Sequence, residues 1–413
     1  MIKEKLCEAK IIKTAFDEWG KTAFRNATLK SISDKLNLTK PALYRYFKNK
    51  NEIFEKMFDC FISDYQNVTN SFINECGNTD DLDFIIKSYI NNYFKFFSNN
   101  HHYFFFFIFH AVKNDCFIKK SVIDIDEIEN KILTRGIKNT AKIWIKVKDV
   151  ELLKRFIFST GIFLLLFKFG NKKTKFLHSI DDKESDAILN DIYYIIKNGF
   201  GLKKIKSNIN FKKVESIAGI KKEQLPERDK VIDAIASVIA EEGIWNTTLS
   251  KISKKLGIVK SSLYFYFKNK KEMLSSSILN EIKKNDKLIK SKILNNSSYE
   301  EKFYSLIVAF SSYLLLDNNM MKIFDWIHQQ GVNLKLMKDI ENEEQIDTQI
   351  IREGISEKYL DNQKFDDIFI SNFFKMQIIK EIYISDLFKQ EIKISDMRNI
   401  YKLFLNGIRE VKK

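Results

Sequence analysis

One short phrase occurs twice in this chain. Residues 43–50 read LYRYFKNK and residues 263–270 read LYFYFKNK, so seven of eight letters agree across a gap of 220 residues. The match extends without a gap from 28–52 to 248–272, where fifteen of the 25 positions are identical. Because solenoid repeats have periods of only about 20–50 residues, a repeat this far apart predicts the duplication of a whole module.

The two copies also end alike, with YYIIKNGF at 193–200 and YKLFLNGI at 401–408. A chain of 413 residues that is 45% hydrophobic is long enough for at least two domains with substantial cores. Glycine (13 residues) and proline (2 residues) are scarce, and charged and aliphatic residues recur at three- and four-residue spacing. Sheets and tight turns usually need more glycine and proline, so the composition predicts an all-α protein.

The positive charge of the chain is concentrated in three segments. The net charge is +5 over 28–50, +6 over 203–222 and +6 over 248–270, so these segments together exceed the +15 of the whole chain. A charge that served solubility alone would be spread more evenly. Concentrated basic segments are typical of surfaces that hold a polyanion.

The repeated segment begins with the signature of a short amphipathic helix. Thr28 is a suitable N-cap residue, and Ile32 and Leu36 lie four residues apart, so they share one side of the helix. Asn37 follows in the first copy and Gly257 in the second. Both residue types accept the left-handed conformation, which predicts a sharp turn at this point.

A second short helix follows the turn. Thr39 offers another N-cap, Pro41 is tolerated in a first helical turn, and Leu43 and Phe47 repeat the inward four-residue spacing. Two short helices joined by a tight turn predict a helix-turn-helix. The polar side chains Lys40, Tyr44, Arg45 and Lys48 then face outward, where they suit base edges and phosphates.

A solvated basic face on an ordinary helical hairpin is the alternative interpretation. It is less favoured because the pattern occurs twice, with basic charge focused on both copies.

The combined pattern T-L-x-x-I-S-x-x-L-x-(I/L)-x-K-x-x-L-Y-x-Y-F-K-N-K-x-E resembles the DNA-binding signature of TetR-family transcriptional repressors over about 45 residues in each copy. The resemblance implies an all-α fold of two tandem TetR-like modules. Each would have an N-terminal helix-turn-helix domain of three helices and a C-terminal helical bundle. Since the family normally works as a homodimer, it also implies that the two modules pack as an intramolecular pseudo-dimer in a monomeric chain.

The resemblance divides the chain into five expected segments. Helix-turn-helix DNA-binding domains are expected at 1–56 and 226–276, helical ligand- or dimerisation-type domains at 57–202 and 277–413, and a basic linker at 203–225. The expected bundle helices are Asp81–Phe97, Val150–Phe169 and Ser185–Gly199 in the first module and Ser298–Leu316, Lys364–Ile384 and Ser395–Gly407 in the second.

The last two helices of each family subunit form the dimer interface, so here that interface is expected to join 150–199 to 364–407. Its expected residues are Leu164, Leu165, Phe167, Ile192 and Ile196 against Phe373, Phe374, Ile378, Ile400 and Phe404.

The family's DNA contacts transfer residue by residue. Thr28, Lys50, Thr248 and Lys270 are expected to contact phosphate. The recognition-helix positions are Lys40, Pro41, Ala42, Tyr44, Arg45 and Tyr46 in the first copy and Lys260, Ser261, Ser262, Tyr264, Phe265 and Tyr266 in the second.

The two copies depart from the family pattern in different places. Val259 stands where a capping Ser or Thr is usual, which makes the second recognition helix less well capped by ~1 kcal/mol. Ala23 replaces the helix-ending glycine that Gly243 keeps.

A homodimer presents two identical reading heads, whereas a fused pair is free to diverge. Arg45 can bind guanine or phosphate, but Phe265 offers only apolar contact, for example to a thymine methyl group. The sequence therefore predicts an operator with non-identical half-sites, their centres about one helical turn, ~34 Å, or a small multiple apart. The alternative is that the two heads diverged by sequence drift without any effect on which bases they bind.

Family bundles usually enclose a small-molecule effector whose binding releases DNA, so an effector of unknown identity is expected. Aromatic residues near candidate pockets are Tyr103–Phe109, Trp144 and Trp326, with His110 and His328 as polar points. Core packing is the commoner role of such residues, and no effector-binding residue is assigned. No cofactor and no metal site is expected, because the five histidines show no ligand spacing.

Other functional classes have less support. No glycine-rich phosphate loop, nucleophile elbow, zinc motif or CxxC is present, so the chain is predicted not to be an enzyme. Two apolar runs are too short or too polar for membrane spans and the start of the chain lacks a signal-peptide core, so a cytoplasmic location is expected. Neither zinc spacing nor a disulfide framework is predicted from the four cysteines, Cys7, Cys60, Cys76 and Cys116.

The sequence as a whole predicts a sequence-specific double-stranded DNA-binding transcriptional regulator, in the form of a ligand-responsive repressor. The alternatives are a non-specific DNA-packaging protein and, with less support, a basic helical protein at the membrane surface.

Overall fold

The computed structural model describes eleven segments of the chain, and these form helices without any strand. The chain divides into two compact units. Unit 1 comprises Met1–Gly199 with Gly407–Val411, and unit 2 comprises Phe200–Asn406. The described segments are 2–20, 28–108, 123–171, 181–200, 209–242, 247–262, 270–294, 297–317, 346–354, 365–387 and 391–409.

Unit 1 is built around helix α5. This helix begins where the Asp81 carboxylate accepts hydrogen bonds from the backbone N–H groups of Asp83 and Phe84, at 2.9 and 3.2 Å. It packs against α4, α7, α8 and α9, and buries aromatic and aliphatic side chains on several sides. The helices of unit 1 are α1 Ile2–Gly20, α2 Leu29–Leu36, α3 Lys40–Leu43, α4 Lys50–Cys76, α5 Leu82–Asn99, α6 His101–Phe106, α7 Ile123–Asn139, α8 Val150–Asn171 and α9 Asp182–Asn198.

Unit 2 is built around α14, the counterpart of α5. Its N-cap is Ser298, whose hydroxyl accepts a hydrogen bond from the Glu301 N–H at 3.3 Å. Around it pack α10, α13, α15, α16 and α17. The helices of unit 2 are α10 Phe211–Ala218, α11 Lys230–Glu242, α12 Leu249–Lys255, α13 Lys270–Ser291, α14 Tyr299–Leu316, α15 Ile346–Gly354, α16 Asp367–Leu387 and α17 Met397–Asn406.

The six bundle helices predicted from the sequence are confirmed, and each observed end lies within three residues of its predicted position. The hydrophobic pattern places a helix well, but its ends depend on capping residues such as Asp81 and Ser298. Among the described helices, none combines the length and the apolar character that crossing a bilayer requires.

The final residues of the second module belong to unit 1. Trp144 donates its indole N–H to the Gly407 carbonyl at 2.7 Å, and the Ile408 N–H donates to the Ile196 carbonyl at 3.0 Å. Gly407 has a φ of 58°, and a Cβ there would lie 2.4 Å from the Ile196 oxygen. A glycine is therefore required where this segment turns against α9.

Phe200, which ends the closing phrase YYIIKNGF of the first module, correspondingly belongs to unit 2. Its N–H donates to the Phe404 carbonyl at 2.9 Å, and its ring lies 5.1 Å from the Phe373 ring. The preceding residue, Gly199, has a φ of 63°, which matches the φ of Gly407 at the end of the second module.

The connector between the modules is folded where it is described. Val214 and Ala218 of α10 are buried against α14. The Glu215 carboxylate accepts hydrogen bonds from the Arg398 Nε and the Tyr304 hydroxyl, both at 2.7 Å. The basic segment predicted as a linker thus contains a helix that is fixed to unit 2 by apolar burial and by an ion pair.

Candidate nucleic-acid interface

Head 1 comprises α1–α3 and the first turn of α4, and head 2 comprises α11, α12 and the first turn of α13. In head 1, the Thr28 hydroxyl caps α2 by accepting a hydrogen bond from the Ser31 N–H at 3.2 Å. Ile32 is fully buried below this helix. Asn37 ends the helix with a φ of 52°, and the chain turns there as its sequence predicts.

The second helix of head 1 is short. Thr39 accepts a long hydrogen bond of 3.4 Å from the Ala42 N–H at the start of α3. The helix ends at Leu43, and residues 44–46 continue as a turn in which the Tyr46 N–H donates to the Leu43 carbonyl at 3.0 Å. Leu43 and Phe47 are both buried, so the predicted inward spacing is confirmed.

The other predicted recognition residues of head 1 face outward to different degrees. Tyr44 is 52% exposed, so its ring and hydroxyl are accessible to a binding partner. A tyrosine, an arginine and lysines on one exposed surface can contact both phosphates and base edges. The exposed side chains are Lys40, Pro41, Tyr44, Arg45 and Lys48, and the half-buried ones are Ala42 and Tyr46.

Head 2 repeats this arrangement. Thr248 caps α12 by accepting a hydrogen bond from the Lys251 N–H at 3.4 Å, Ile252 is fully buried, and Gly257 turns with a φ of 71°. From 248 to 262, every residue has the same class of exposure as its counterpart from 28 to 42. The two copies therefore share one pattern of exposure as far as Ser262.

The end of the second recognition segment differs from that of the first within the residues that the structure describes. Val259 is 66% exposed at the position of the capping Thr39 and has no hydroxyl to offer. Lys260 and Ser261 are exposed and Ser262 is half-buried. The predicted contacts Tyr264, Phe265 and Tyr266 lie outside the described residues, while Lys270 opens α13 without a described side chain.

Lys50 is placed differently from the exposed lysines. Its Nζ lies 5.7 Å from the centroid of the Trp19 ring and 5.4 Å from that of Phe54. Burial of the side chain lowers the pKa of Lys50. Trp19 also donates its indole N–H to the Thr28 carbonyl at 3.2 Å. Sequence reasoning missed Trp19 because it lies outside the repeated phrase.

The residues considered for an effector have mixed placements. Tyr103 donates its hydroxyl to the Asp64 carboxylate at 2.7 Å, and Trp144 is engaged by Gly407. Burial, followed by the bond to Asp64, raises the pKa of Tyr103. Phe109, His110, Trp326 and His328 lie outside the described residues.

A buried polar cluster lies among the aromatic residues of unit 1. The Tyr93 hydroxyl binds the Glu129 carboxylate and lies 3.1 Å from the Thr69 hydroxyl. Lys154 lies 3.6 Å from the same carboxylate, and all four side chains are buried. Burial raises the pKa of Tyr93. Charged residues buried in this way are paired, as physical principles require. Sequence periodicity gave no sign of this cluster.

Comparison with known families decides the identity of the two heads. The sequence model of "Bacterial regulatory proteins, tetR family" matches residues 11–57 and again residues 231–276. The two heads therefore match the TetR family. The fold of the chain is accordingly all-α in the described residues, with two tandem TetR-like modules.

The chain is similar to several known regulators over part of its length. The "Fatty acid metabolism regulator protein" of Bacillus subtilis is 29% identical over 119 residues, which are 29% of this chain and 61% of the relative. The "Biofilm operon icaADBC HTH-type negative transcriptional regulator IcaR" of Staphylococcus epidermidis is 42% identical over 53 residues, 13% of this chain and 29% of the relative. The matches thus span less than two thirds of either relative.

A solved structure is also similar to part of this chain. It is the "transcriptional regulator FadR from Bacillus subtilis in complex with stearoyl-CoA", with 20% identity and a TM-score of 0.35. The comparison covers 44% of this chain and 98% of the solved chain.

Proposed function

We propose that this protein is a sequence-specific double-stranded DNA-binding transcriptional regulator. It acts as a ligand-responsive repressor, and as a single-chain pseudo-dimer on an operator with non-identical half-sites. One observation carries the proposal: residues 28–42 and 248–262 repeat the same capped helix and left-handed turn, with the same exposure class at every position and exposed lysines in both copies. Two such surfaces in one chain suit two half-sites of one duplex.

Each head contributes phosphate contacts and base contacts in this proposal. The exposed lysines hold phosphates and set the orientation of the head, while Arg45 and Phe265 discriminate between bases. The proposed heads, residues 1–56 and 226–276, overlap the two segments that match the family model, 11–57 and 231–276. The remaining segments, 57–202 and 277–413, serve as effector and pairing domains.

Pairing of the modules is supported by two equivalent hydrogen bonds. In unit 1 the Ile408 N–H donates to the Ile196 carbonyl, and in unit 2 the Phe200 N–H donates to the Phe404 carbonyl. Ile408 is the repeat counterpart of Phe200, and Phe404 is the counterpart of Ile196. A two-fold arrangement requires every contact to occur twice with the partners exchanged. Covalent fusion makes such pairing independent of protein concentration.

An effector site in the bundles rests on weaker grounds. The buried Lys154–Glu129 pair with Tyr93 gives the aromatic core of unit 1 a polar point, which an amphipathic ligand needs for orientation. Because one relative is named a fatty acid metabolism regulator, fatty acids are the first ligands to test for release of DNA.

Selection of bound duplexes from a random pool tests the proposal. The enriched site is expected to have two unlike halves. The variant Phe265→Arg is expected to make the half bound by head 2 resemble the half bound by head 1, and Arg45→Phe is expected to do the reverse. An identical pair of halves for the wild-type chain contradicts non-identical heads. A pool without any enriched sequence indicates non-specific packaging, and binding to anionic liposomes in preference to duplex at matched salt indicates a membrane role.

A further inference from the structure

Trp19 connects two segments of head 1 that are expected to contact phosphate. It is 1% exposed at the end of α1, and its indole N–H donates to the Thr28 carbonyl at 3.2 Å. Its ring stacks on Phe54 at 4.9 Å, and the Lys50 Nζ lies over both rings. One buried side chain therefore contacts the cap of α2 and also holds the lysine that opens α4.

The Thr28 carbonyl has a further side-chain donor, since the Ser31 hydroxyl donates to it at 2.8 Å. Two side chains thus fix the backbone at the start of α2. Since a fixed backbone loses less conformational freedom on binding, this position is prepared for a phosphate contact.

Head 2 has different residues at the equivalent positions. Ile239 replaces Trp19 and Leu274 replaces Phe54, so neither a ring nor an indole N–H is present at these two positions. Lys251 replaces Ser31, and its Nζ pairs with the Glu242 carboxylate at 2.8 Å instead of serving the cap.

Head 2 is held by ion pairs in place of these contacts. Besides Lys251–Glu242, Lys255 pairs with Glu241, so two lysines of the helix-turn-helix are neutralised by the last turn of α11. The equivalents of Glu241 and Glu242 in head 1 are Lys21 and Thr22. The net charge is consequently +7 over 21–50 but only +4 over 241–270.

We propose that Trp19 is a positioning residue that holds Lys50 and the Thr28 backbone for phosphate contact, and that head 1 is therefore the tighter of the two heads. A cation held over aromatic rings keeps its charge and its outward N–H donors while its side chain is already ordered. This inference rests on the proposed DNA-binding function and states that the two heads contribute unequally to DNA affinity.

Duplex DNA of mixed sequence is a suitable ligand for the test, because phosphate contacts do not depend on sequence. The binding constant of the full chain is measured against salt concentration for wild type, Trp19→Ile, Lys50→Gln and the double variant. Lys50→Gln is expected to lower the slope of log K against log salt by about 0.9, the value for one phosphate contact. Trp19→Ile is expected to lower it by a similar amount, and the double variant no further.

Trp19→Phe keeps the ring and removes the N–H, so it is expected to retain the wild-type slope with affinity reduced about 2-fold. If Trp19→Ile fails to fold, Phe54→Leu takes its place, because it removes the other ring beside Lys50. It is expected to lower the slope, whereas a role in folding alone would not change the number of phosphates bound. The matched cycle in head 2 combines Ile239→Val with Lys270→Gln. There the effect of the lysine is expected to be the same in both backgrounds.

Additive slopes for Trp19→Ile and Lys50→Gln, or an unchanged slope for either, overturn the positioning role. Lys50→Gln is expected to weaken DNA binding about 10-fold and Lys270→Gln about 3-fold. The ranking of the heads fails if Lys270→Gln weakens binding more than Lys50→Gln. A chain that binds mixed duplex but enriches no operator leaves this inference standing while the proposed sequence specificity fails. A chain that binds no duplex overturns both.

Discussion

The two units join their heads to their bundles with different chemistry. Junction 1, where α1 meets α4 and α6, consists of aromatic rings. Phe16 lies 4.8 Å from Tyr103 and 5.3 Å from Phe106, and Phe61 lies 5.7 and 5.9 Å from the same two rings. Such edge and tilted contacts between rings add to the free energy of burying their apolar surface.

Junction 2, where α11 meets α13 and the end of α14, consists of charged groups. Arg228 donates to the Asp233 carboxylate at 2.9 Å and pairs with Asp317 at 2.6 Å. The Glu281 carboxylate is 2% exposed and accepts a hydrogen bond from the Asp229 N–H at 3.1 Å. The same mechanical connection therefore depends on paired charges in unit 2.

The difference arises at equivalent positions of the repeat. Glu281 is the counterpart of Phe61, and Asn285 is the counterpart of Tyr65. The Tyr65 ring lies 6.5 Å from Phe96, whereas the Asn285 amide donates to the Tyr313 hydroxyl at 2.6 Å. The helices kept their register while the contacts between them changed from ring packing to hydrogen bonding. Two fused modules need only the same helix geometry at their two junctions, so the side chains that form each junction are free to diverge.

The largest expected effect comes from the centre of junction 1. Phe61→Ala should lower the free energy of unfolding of unit 1 by about 3–5 kcal/mol, because a fully buried ring leaves a cavity. Hydrogen exchange of peptides from each unit measures the effect separately for the two units. The loss should not depend on salt, and unit 2 should keep its protection. A loss below about 1 kcal/mol means that the ring cluster contributes little to junction 1.

The next effect comes from the centre of junction 2. Arg228→Met should lower the free energy of unfolding of unit 2 by about 3 kcal/mol, because it leaves the buried Asp317 carboxylate without its cation. Adding Asp317→Leu should restore most of this loss, since it removes the stranded charge. The matched control is Glu8→Gln at the exposed counterpart in unit 1, with an effect within about 0.5 kcal/mol. Failure of the rescue means that Arg228 acts through packing alone.

A third effect distinguishes the junctions by the sign of their pH dependence. Burial, aided by the neighbouring His101, lowers the pKa of His102, which packs on Phe16 with 5.8 Å between ring centroids. The unfolded chain then binds more protons below the ordinary pKa of about 6.5, so junction 1 should weaken as the pH falls through that value. Burial raises the pKa of Glu281, so the native state binds more protons above about 4.3 and junction 2 should strengthen as the pH falls towards that value.

Hydrogen exchange across this pH range, corrected for the intrinsic rate, measures the sign of both trends. Glu281→Gln should reduce the trend in α11 and α13, where burial also raises the pKa of Asp286. His102→Phe should reduce the trend in α1 and α6, where burial also lowers the pKa of His101. Parallel trends in the two junctions are the outcome that would break the comparison.

The sequence was sufficient for the parts of the structure that depend on near neighbours. Caps at Thr28 and Thr248, turns at Asn37 and Gly257, and the long bundle helices all follow from spacing within a few residues. The docked connector could not be predicted in the same way. Its Glu215 meets Arg398, which is 183 residues away, and such a contact leaves no local pattern.

The candidate site shows the same limit. The exposed face of head 1 followed from helical periodicity, but the support of Lys50 by Trp19 did not, because 31 residues and two helices separate them. Periodicity also cannot show that Lys251 and Lys255 are paired with acids of another helix. Net charge in a short window therefore overstated the cationic surface of head 2.

The smallest expected effect on stability extends the comparison to the heads. Glu241→Gln combined with Glu242→Gln should change the free energy of unfolding by less than about 1 kcal/mol, because both ion pairs are exposed to solvent. The same change frees Lys251 and Lys255, so affinity for mixed duplex should rise several-fold and the salt slope should steepen by up to about 2.

Glu353→Gln is the control for this change, since it breaks the exposed pair with Lys302 in the bundle and should leave DNA affinity unchanged. An unchanged affinity for the double variant would show that Lys251 and Lys255 do not reach phosphate, and that the acids of α11 serve only to hold α12 in place. A steeper slope without loss of protection in α12 would instead show that head 2 uses charge pairing to limit its own hold on DNA. In that case the heads would differ by selection for unequal strength, and drift alone would no longer account for their divergence.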